Sequence, residues 1–217
     1  MSIKTNLDNI KSTLPEHVTL VAVSKTKPVS DLMEAYNAGQ RIFGENKIQE
    51  MVEKYEQMPK DIQWHMIGHV QRNKVKYMAK FVSFVHAVDS LKLLEEINKQ
   101  AMKHNNLIHC LLQLKIAKED SKFGLSKEEA KKILASKSYA ECGNVSIVGL
   151  MGMATFTEDQ SIIKSEFQYL KSCYDEFKLD HPYFHTLSMG MSGDYQLAID
   201  CGSNMIRVGS SIFGVRK

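Results

Sequence analysis

Eight short apolar runs, separated by segments of helical period, constrain this chain more than any other feature of its sequence. Most runs are continuous rather than alternating, and they are rich in Val, Ile, Phe and Leu. That composition is typical of strands buried on both faces of a parallel sheet. The runs occupy residues 18–25, 41–46, 62–68, 81–88, 107–116, 145–153, 183–190 and 205–214.

The segments between the runs predict helices, since their apolar residues recur with helical spacing. These segments are 29–38, 46–57, 72–80, 90–104, a helix after Ser126, 159–178 and 193–200. Ser126 and Glu129 have the spacing of a capping box, and Gly39 suits the position after a helix end. Eight such alternations predict an α/β fold, a closed (β/α)8 TIM barrel. An open doubly wound sheet is the alternative, because the pattern alone does not show closure.

Length and composition add limits to this fold. A chain of 217 residues, 43% of them hydrophobic, suits one barrel domain over residues 1–217. Four scattered cysteines without a Cys-x-x-Cys pair predict thiols in a reducing cytosol, and the location is therefore expected to be cytoplasmic. Residues 1–13 alternate polar and apolar types without a signal-peptide core, and no run of about 18 apolar residues predicts a membrane span. The net charge of +3 does not predict nucleic-acid binding.

The first run ends in a lysine. Val21, Val23 and Lys25 share one face of a period-two strand, and barrel enzymes place their chemistry at the carboxyl ends of the strands. Burial lowers the pKa of a lysine ammonium, and a neutral amine attacks an aldehyde to form a Schiff base. Taken alone, a lysine there equally fits a side chain that snorkels into solvent.

The seventh and eighth runs are followed by glycines and serines. Residues 188–193 read SMGMSG and residues 207–211 read RVGSS. Hydroxyl and backbone N–H groups of this kind bind anions, and barrel enzymes often hold a phosphate after strands 7 and 8. A reactive lysine opposite a phosphate site suits pyridoxal 5′-phosphate (PLP). A Schiff-base aldolase acting on a sugar phosphate needs the same two features.

Several motifs carry a family resemblance over nearly the whole chain. They are VAVSK at 21–25, FGEN at 43–46, WHMIGHVQRNK at 64–74, GLMGM at 149–153, SMGMSGD at 188–194 and RVGS at 207–210. In this order they resemble the pyridoxal phosphate homeostasis protein family. The fold of that family is similar to the N-terminal barrel domain of alanine racemase, the fold type III of PLP proteins. The resemblance implies PLP as cofactor, a role in vitamin B6 homeostasis and a monomer.

The resemblance also assigns residues to the cofactor. They are Lys25, Asn46, Ser188, Ser192, Arg207, Gly209 and Ser210. Lys25 is expected to hold PLP as a Schiff base, and the three serines with Gly209 are expected to bind its phosphate. Asn46 is expected near the phenolic oxygen of the ring, and the Arg207 guanidinium against the pyridine nitrogen.

Arg207 bears on whether such a site turns over substrate. An arginine donates hydrogen bonds and keeps the ring nitrogen unprotonated, whereas a carboxylate would favour the strongly electron-withdrawing pyridinium. Alanine racemase works with an arginine but takes a tyrosine base from a C-terminal domain, and only three residues follow Gly214 here. Its barrel aspartate and arginine positions correspond to Ala117 and Lys122.

The sequence therefore predicts a protein that carries or buffers PLP, without evident turnover chemistry. A single-domain enzyme resembling an amino-acid racemase is the alternative. An interaction module with PLP as regulatory ligand is a weaker one. PLP and PLP-dependent apo-enzymes are the expected partners, with neither nucleic acid nor membrane among them.

Two further groups of residues invite a metal-site interpretation. His65 and His69 fall on one face of a period-two strand, but no third ligand is evident, so hydrogen-bonding or packing roles are expected and no metal site is predicted. Alternatively, His69 lies over the barrel mouth and contacts a ligand. Core and pocket-lining positions are predicted for Met151, Met153, Met189 and Met191.

Overall fold

Eight parallel strands close into a barrel in chain order, with the first strand paired to the eighth. The computed structural model describes residues 2–117 and 123–215. The strands are β1 (Thr19–Val23), β2 (Ile42–Glu45), β3 (Gln63–Met66), β4 (Val82–Val88), β5 (Ile108–Gln113), β6 (Val145–Met151), β7 (Thr186–Ser188) and β8 (Met205–Val208). Each predicted run contains one strand, so the closed barrel is confirmed and the open sheet was wrong.

Helices surround the barrel and connect successive strands. They are α1 (Ile3–Thr13), α2 (Val29–Asn37), α3 (Ile48–Gln57), α4 (Val75–Met78), α5 (Leu91–Met102), α6 (Lys127–Leu134), α7 (Lys137–Ala140), α8 (Gln160–Asp180), α9 (Tyr195–Asp200) and α10 (Ser210–Phe213). The predicted helix over 72–80 begins as a 3-10 turn, Arg72–Lys74, before α4. The capping box is confirmed, since Ser126 and Glu129 each bind the other's backbone N–H at the start of α6.

The N-terminal segment corrects the sequence analysis, which described residues 1–13 as alternating. The segment Ile3–Thr13 is helical, and the Ser2 side chain caps it by accepting from the Thr5 amide. Leu7 and Ile10 are its buried residues, three apart on one face. This spacing is that of an amphipathic helix, and it outweighs the apparent alternation.

Two apolar clusters lie on the two faces of the sheet. The smaller cluster fills the barrel with Val21, Phe84, Ala87, Leu111, Val148, Met151 and Met205. The larger cluster lies between the strands and the helices and includes Phe43, Trp64 and Phe167. The predicted core roles of Met151 and Met189 are confirmed, since both are fully buried. The inner cluster makes the barrel a packed support for whatever lies at its mouth.

The described structure also answers two predictions drawn from composition. All four cysteines are free thiols, and Cys110, Cys173 and Cys201 are buried. In residues 2–117 and 123–215, no helix is both long and apolar enough to cross a membrane.

Candidate functional site

A cavity of about 700 Å³ opens at the carboxyl ends of the strands, and we call it the mouth cavity. This volume is within the range of small-molecule sites. Segments that follow the strands line it: Lys25 and Lys27 after β1, Asn46 after β2, 67–69 after β3, 153–157 after β6, 191–194 after β7 and 209–210 after β8. The cavity therefore lies where a barrel of this class places its chemistry.

Most of the predicted site residues meet in this cavity. Those that line it are Lys25, Asn46, Ser192, Arg207, Gly209 and Ser210. Met153 and Met191 also line it, which confirms their predicted pocket role. Ser188 is the exception: it is completely buried and does not line the cavity. The structure thus does not bring Ser188 to the place where a direct phosphate contact was expected.

Lys25 stands in the turn directly after β1. Val21, four residues earlier, belongs to the cluster inside the barrel, and Val23 lines the cavity. Period-two alternation carries the same face on to Lys25, as the sequence predicted. The Ser24 amide still donates to the Gly44 carbonyl at 3.0 Å, so the strand pairing continues up to the lysine.

Asn46 is positioned by a close approach of backbone from the neighbouring strand end. A Cβ atom at Gly68 would lie 2.6 Å from the Asn46 carbonyl oxygen and 2.9 Å from its Cα. Only glycine fits there without displacing the Asn46 backbone. The glycine of the WHMIGH motif therefore holds Asn46 at the cavity wall.

The loops after β7 and β8 are joined by a hydrogen bond. The Gly209 amide donates to the Ser192 hydroxyl oxygen at 3.1 Å. A Cβ at Gly209 would lie 3.1 Å from the Val23 carbonyl oxygen, so this loop packs closely on β1. Asp194 accepts from the Met191 amide at 2.6 Å, which holds the first loop in shape. Hydroxyl and N–H groups from both loops thus converge beside the cavity.

Arg207 is a buried cation at the cavity wall. Its guanidinium donates to the Ser188 hydroxyl oxygen at 2.5 Å and to the Gly152 carbonyl at 3.0 Å. Burial lowers the pKa of Arg207 to about 10, an effect that the Asp194 carboxylate partly opposes. The guanidinium therefore keeps its charge at neutral pH. Two of its N–H groups bind protein acceptors, and its position in the lining offers the others to a ligand.

Two buried histidines continue this network into the barrel. His86 Nδ1 lies 3.2 Å from the Ser188 hydroxyl oxygen, and His86 Nε2 lies 3.0 Å from His65 Nδ1. We call the series Arg207, Ser188, His86 and His65 the histidine column. Within residues 2–117 and 123–215, His65 Nε2 has no hydrogen-bond partner, so the column ends there.

Both imidazoles of the column are neutral. Burial, reinforced by the neighbouring His109, lowers the pKa of His65 to about 3. The pKa of His86 is also well below its ordinary value, because of burial first and then because protonation would place its charge next to the His65 ring and the Arg207 guanidinium. A neutral imidazole has one donor and one acceptor nitrogen. Each ring of the column therefore accepts from the neighbour on its Arg207 side, and the hydrogen bonds all run in one direction, from Arg207 toward His65.

His69 does not pair with His65, which corrects the expectation that the two share one face. His65 is buried in β3, whereas His69 follows the strand and lines the mouth cavity. Its Nδ1 lies 3.1 Å from an Asp89 carboxylate oxygen, and its ring stacks on Phe123 at 4.5 Å. The alternative placement of His69 over the mouth is therefore confirmed. No cluster that would hold a metal ion occurs in the described part of the chain.

The sequence analysis did not identify His86 or Gln113. His86 follows Phe84 by two residues in β4, and Phe84 belongs to the inner cluster. Period-two alternation would have placed His86 inside the barrel, so this signal was present. Gln113 lines the cavity and donates to the Phe123 carbonyl at 2.8 Å.

Of the two positions that the resemblance matches to the aspartate and arginine of the alanine racemase barrel, the structure describes only Ala117. Ala117 is buried, with 5% of its surface exposed, and it brings no ionisable group to the site. Lys122 lies outside the described residues.

Comparison with known proteins agrees with this geometry. The family model "Alanine racemase, N-terminal domain" matches residues 1–217. The pyridoxal phosphate homeostasis protein of Vibrio alginolyticus is 36% identical over 230 residues, which cover 99% of this chain and 98% of that relative. This chain belongs to the pyridoxal phosphate homeostasis protein family. The resemblance stated from the motifs is thereby confirmed.

Solved structures place the family in its wider fold. The structure of PipY from Synechococcus elongatus PCC7942 with PLP bound has a TM-score of 0.89 and 32% identity, covering 98% of this chain and all of that one. The structure of PipY without PLP has a TM-score of 0.92. Alanine racemase from E. faecalis, 18% identical with a TM-score of 0.73, shares the fold over 99% of this chain and 58% of its own.

Proposed function

We propose that this chain binds PLP in the mouth cavity and carries or buffers it in vitamin B6 homeostasis. One observation carries the proposal: a single cavity gathers a primary amine, a guanidinium and a set of hydroxyl and N–H donors. These are the groups that an aldehyde, a pyridine nitrogen and a phosphate require. The relatives named pyridoxal phosphate homeostasis protein and the PLP-bound structure of PipY support it.

Lys25 is the amine that we assign to the cofactor. When bound, PLP supplies an aldehyde, which condenses with a primary amine. Lys27 also lines the cavity, but its ammonium donates to the Phe213 carbonyl at 2.7 Å and to the Val215 carbonyl at 3.3 Å. Lys27 therefore holds the C-terminal segment. Lys25 is the assigned attachment point because it continues the inward face of β1 on which Val21 and Val23 lie.

The remaining contacts follow from what each side chain can donate. Ser192, Gly209 and Ser210 supply hydroxyl and amide groups for the phosphate, and Asn46 supplies an amide for the phenolic oxygen. Arg207 supplies a donor for the pyridine nitrogen. Ser188 acts on the ligand indirectly, through Arg207. Its hydroxyl accepts from the guanidinium at 2.5 Å and so holds the guanidinium in place.

Storage rather than turnover is the role we propose for this site. Arg207 keeps its proton at neutral pH and cannot protonate a ring nitrogen by acting as an acid there. Enclosure of a reactive aldehyde protects exposed amines elsewhere in the cell. We further propose that residues 1–217 act as one monomeric domain in the cytosol, which suits four free thiols, and that apo-enzymes that need PLP receive it.

Absorption spectroscopy and reduction with borohydride test this proposal. Protein incubated with PLP should absorb at the wavelength of an imine, and reduction should fix one cofactor on Lys25, which peptide mass spectrometry will locate. Lys25→Ala should lose the fixed label, whereas Lys27→Ala, a lysine of the same cavity, should retain it. Labelling of Lys25→Ala at the wild-type level would refute the attachment site.

His69 and Asp89 favour a racemase-like enzyme as the second candidate function. An imidazole that donates Nδ1–H to a carboxylate presents Nε2 as a base, and the His69 ring lines the same cavity as Lys25. Exchange of the Cα proton of added amino acids into deuterated solvent tests it. Exchange that is lost in His69→Gln would support the racemase-like enzyme. Absence of exchange across a panel of amino acids would refute it and favour the PLP carrier.

A further inference from the structure

The turn that carries Lys25 is fastened on both sides by one buried ionic cluster. This cluster consists of Glu45 at the end of β2 and of Glu50 and Lys54 on α3, and we call it the lysine clamp. Its side chains contact Ser24, the residue before Lys25, and Thr26, the residue after it.

Lys54 fixes the residue before Lys25. Its ammonium donates to the Ser24 carbonyl at 2.8 Å, to Glu45 Oε1 at 2.7 Å and to Glu50 Oε1 at 2.7 Å. These bonds use all the donors that an ammonium has. The Ser24 hydroxyl donates to the same Glu45 oxygen at 2.6 Å. Both the backbone and the side chain of Ser24 are therefore bound to the clamp.

Glu50 fixes the residue after Lys25. Its Oε1 accepts from the Thr26 amide at 2.5 Å. Thr26 has a φ of 64°, in the left-handed region that a β-branched residue rarely adopts. Such a conformation persists only where the surrounding structure enforces it. The hydrogen bond from Thr26 to the clamp is a direct source of that constraint.

Stability is a weak explanation for charges buried this deeply. Glu45 is completely buried and Lys54 is 5% exposed, and desolvation of two charges often outweighs their attraction. Within residues 2–117 and 123–215, Glu45 Oε2 has no hydrogen-bond partner, which adds to the unfavourable terms. Apolar side chains would fill this space at no greater cost, so a directional role is the better account.

We infer that the lysine clamp positions Lys25, by fixing the backbone on both sides of it so that its amine enters the mouth cavity. Glu45, Glu50 and Lys54 are positioning residues, because each acts through Ser24 or Thr26. The inference rests on the proposed function, since it concerns the amine assigned to PLP. Misplacement of a reacting group by about 1 Å is enough to slow a reaction roughly a hundredfold.

Two readouts test the inference, and one of them does not involve PLP. Reductive methylation of the apo protein with isotope-labelled formaldehyde gives each accessible lysine an NMR signal, and Lys25→Arg identifies the signal of Lys25. Lys54 is 5% exposed with its three N–H donors bonded, and it is expected to stay unmethylated. In Lys54→Met and Glu50→Ala this signal should move toward those of exposed lysines. The rate of PLP attachment in both variants should fall by about tenfold or more.

Matched variants separate positioning from general loss of stability. Glu50→Gln retains an oxygen that accepts from the Thr26 amide, and it should recover most of the attachment rate. Ile97→Ala opens a cavity in α5, away from the clamp, and its Lys25 signal and attachment rate should stay near wild type. Glu50 is partly exposed, so its variants are expected to fold. They therefore test whether the clamp positions Lys25 even if Lys54→Met does not fold.

The outcomes of this experiment are distinct. An unchanged Lys25 signal in Glu50→Ala, together with an attachment rate within about twofold of wild type, would overturn the inference. An equal effect of Ile97→Ala would do the same. Failure of the wild-type protein to take up PLP would instead refute the proposed function, and the methyl signals would still report whether the clamp places Lys25.

Discussion

The lysine clamp and the histidine column support the same cavity from opposite faces of the sheet. The clamp lies on the outer face, where β2 meets α3, and the column lies inside the barrel, where the His65 ring contacts Phe84. In the clamp, buried charges of opposite sign compensate each other. In the column, desolvation keeps two imidazoles neutral beside a guanidinium. The clamp thus tolerates burial because its charges are paired, whereas the two histidines of the column tolerate burial because they are neutral.

This difference follows from what each network holds. The clamp fixes backbone groups around Lys25, and charged partners give such hydrogen bonds their greatest strength. The column holds a cation that has to remain available to a ligand. The Asp194 carboxylate acts on the guanidinium through its charge, while the Ser188 hydroxyl, supported by neutral histidines, and the Gly152 carbonyl accept from it and orient it. The two networks are therefore not interchangeable.

Removal of the clamp cation should have the largest effect on stability. Lys54→Met leaves the buried Glu45 carboxylate and the partly exposed Glu50 carboxylate without their counter-ion, and the free energy of unfolding should fall by about 3 kcal/mol or more. Denaturation in urea, followed by circular dichroism on the apo protein, measures this loss. The double variant Glu45→Leu with Lys54→Met should recover part of it, because no isolated charge remains buried.

An exposed ion pair provides the control for that prediction. Lys4 and Asp8 form an i,i+4 pair on α1 at 2.5 Å, with both side chains about half exposed or more. Lys4→Met should leave the unfolding midpoint unchanged within error, since exposed pairs contribute little. A loss in Lys54→Met no larger than that in Lys4→Met would break the contrast drawn here.

Disruption of the histidine column should change the affinity for the ligand, because the column acts through the Arg207 guanidinium and does not hold the Lys25 backbone. Ser188→Ala removes the oxygen that accepts from Arg207, and it should lower the free energy of unfolding by about 2 kcal/mol and the affinity for PLP by about tenfold. Pyridoxal, which lacks the phosphate, should lose affinity equally, because Ser188 acts through the guanidinium. Fluorescence or absorbance titration with both ligands measures the two affinities.

Another buried serine tests whether that effect is specific. Ser203 is 1% exposed. Its hydroxyl lies within hydrogen-bond distance of the backbone carbonyls of Leu187 in β7, Met189 directly after β7 and Met205 in β8. Ser203→Ala should lose comparable stability while both affinities stay near wild type. If Ser188→Ala weakens PLP alone and leaves pyridoxal unaffected, Ser188 contacts the phosphate as the sequence resemblance implied.

Local pattern predicted the parts of the fold and site that local physics determines. Continuous apolar runs gave the eight strands, and the Ser126 capping box gave the start of α6. Because parallel strands end at the same rim, the lysine after β1 and the glycine and serine loops after β7 and β8 were expected in one site, and the family resemblance added Arg207 to it. The structure brings Lys25 and Arg207 to one cavity, as this argument required.

Features that depend on the register between paired strands, or on how a helix packs on a strand, could not be predicted in this way. In the β7–β8 pairing, Ser188 lies opposite Met205, two residues deeper in the barrel than Arg207. The sequence does not contain that register, so Ser188 was placed at the rim with Ser192. Likewise, the contact of Glu45 with Lys54 depends on how α3 packs on β2, and no spacing rule joins a strand residue to a following helix.

Acid should affect the two networks with opposite sign. The pKa of His65 is lowered to about 3, so between about pH 6.5 and 3 the unfolded chain binds a proton that the folded chain does not. Stability is lost as the pH falls through this window. The pKa of Glu45 is raised, chiefly by burial, so above its ordinary value the folded chain binds the extra proton and stability increases as the pH falls.

Two substitutions separate these contributions. His65→Gln should make the dependence of unfolding free energy on pH shallower, by at most about 1.4 kcal/mol per pH unit, and Glu45→Gln should make it steeper. Urea titrations from pH 7 down to about pH 4.5 give the slopes. Equal slopes in His65→Gln and wild type would contradict the neutral column.

The smallest effect is expected at Ser192, which lies outside both networks. Its hydroxyl accepts from the Gly209 amide at 3.1 Å in a partly exposed loop, so Ser192→Ala should cost about 1 kcal/mol or less of stability. PLP affinity should fall by about threefold to tenfold, and pyridoxal affinity should not change, because this serine is assigned to the phosphate. The expected pattern is the opposite of that in Ser188→Ala, where both ligands weaken together. If the two serine variants gave the same pattern, the division between a phosphate loop and a column that acts through Arg207 would be wrong.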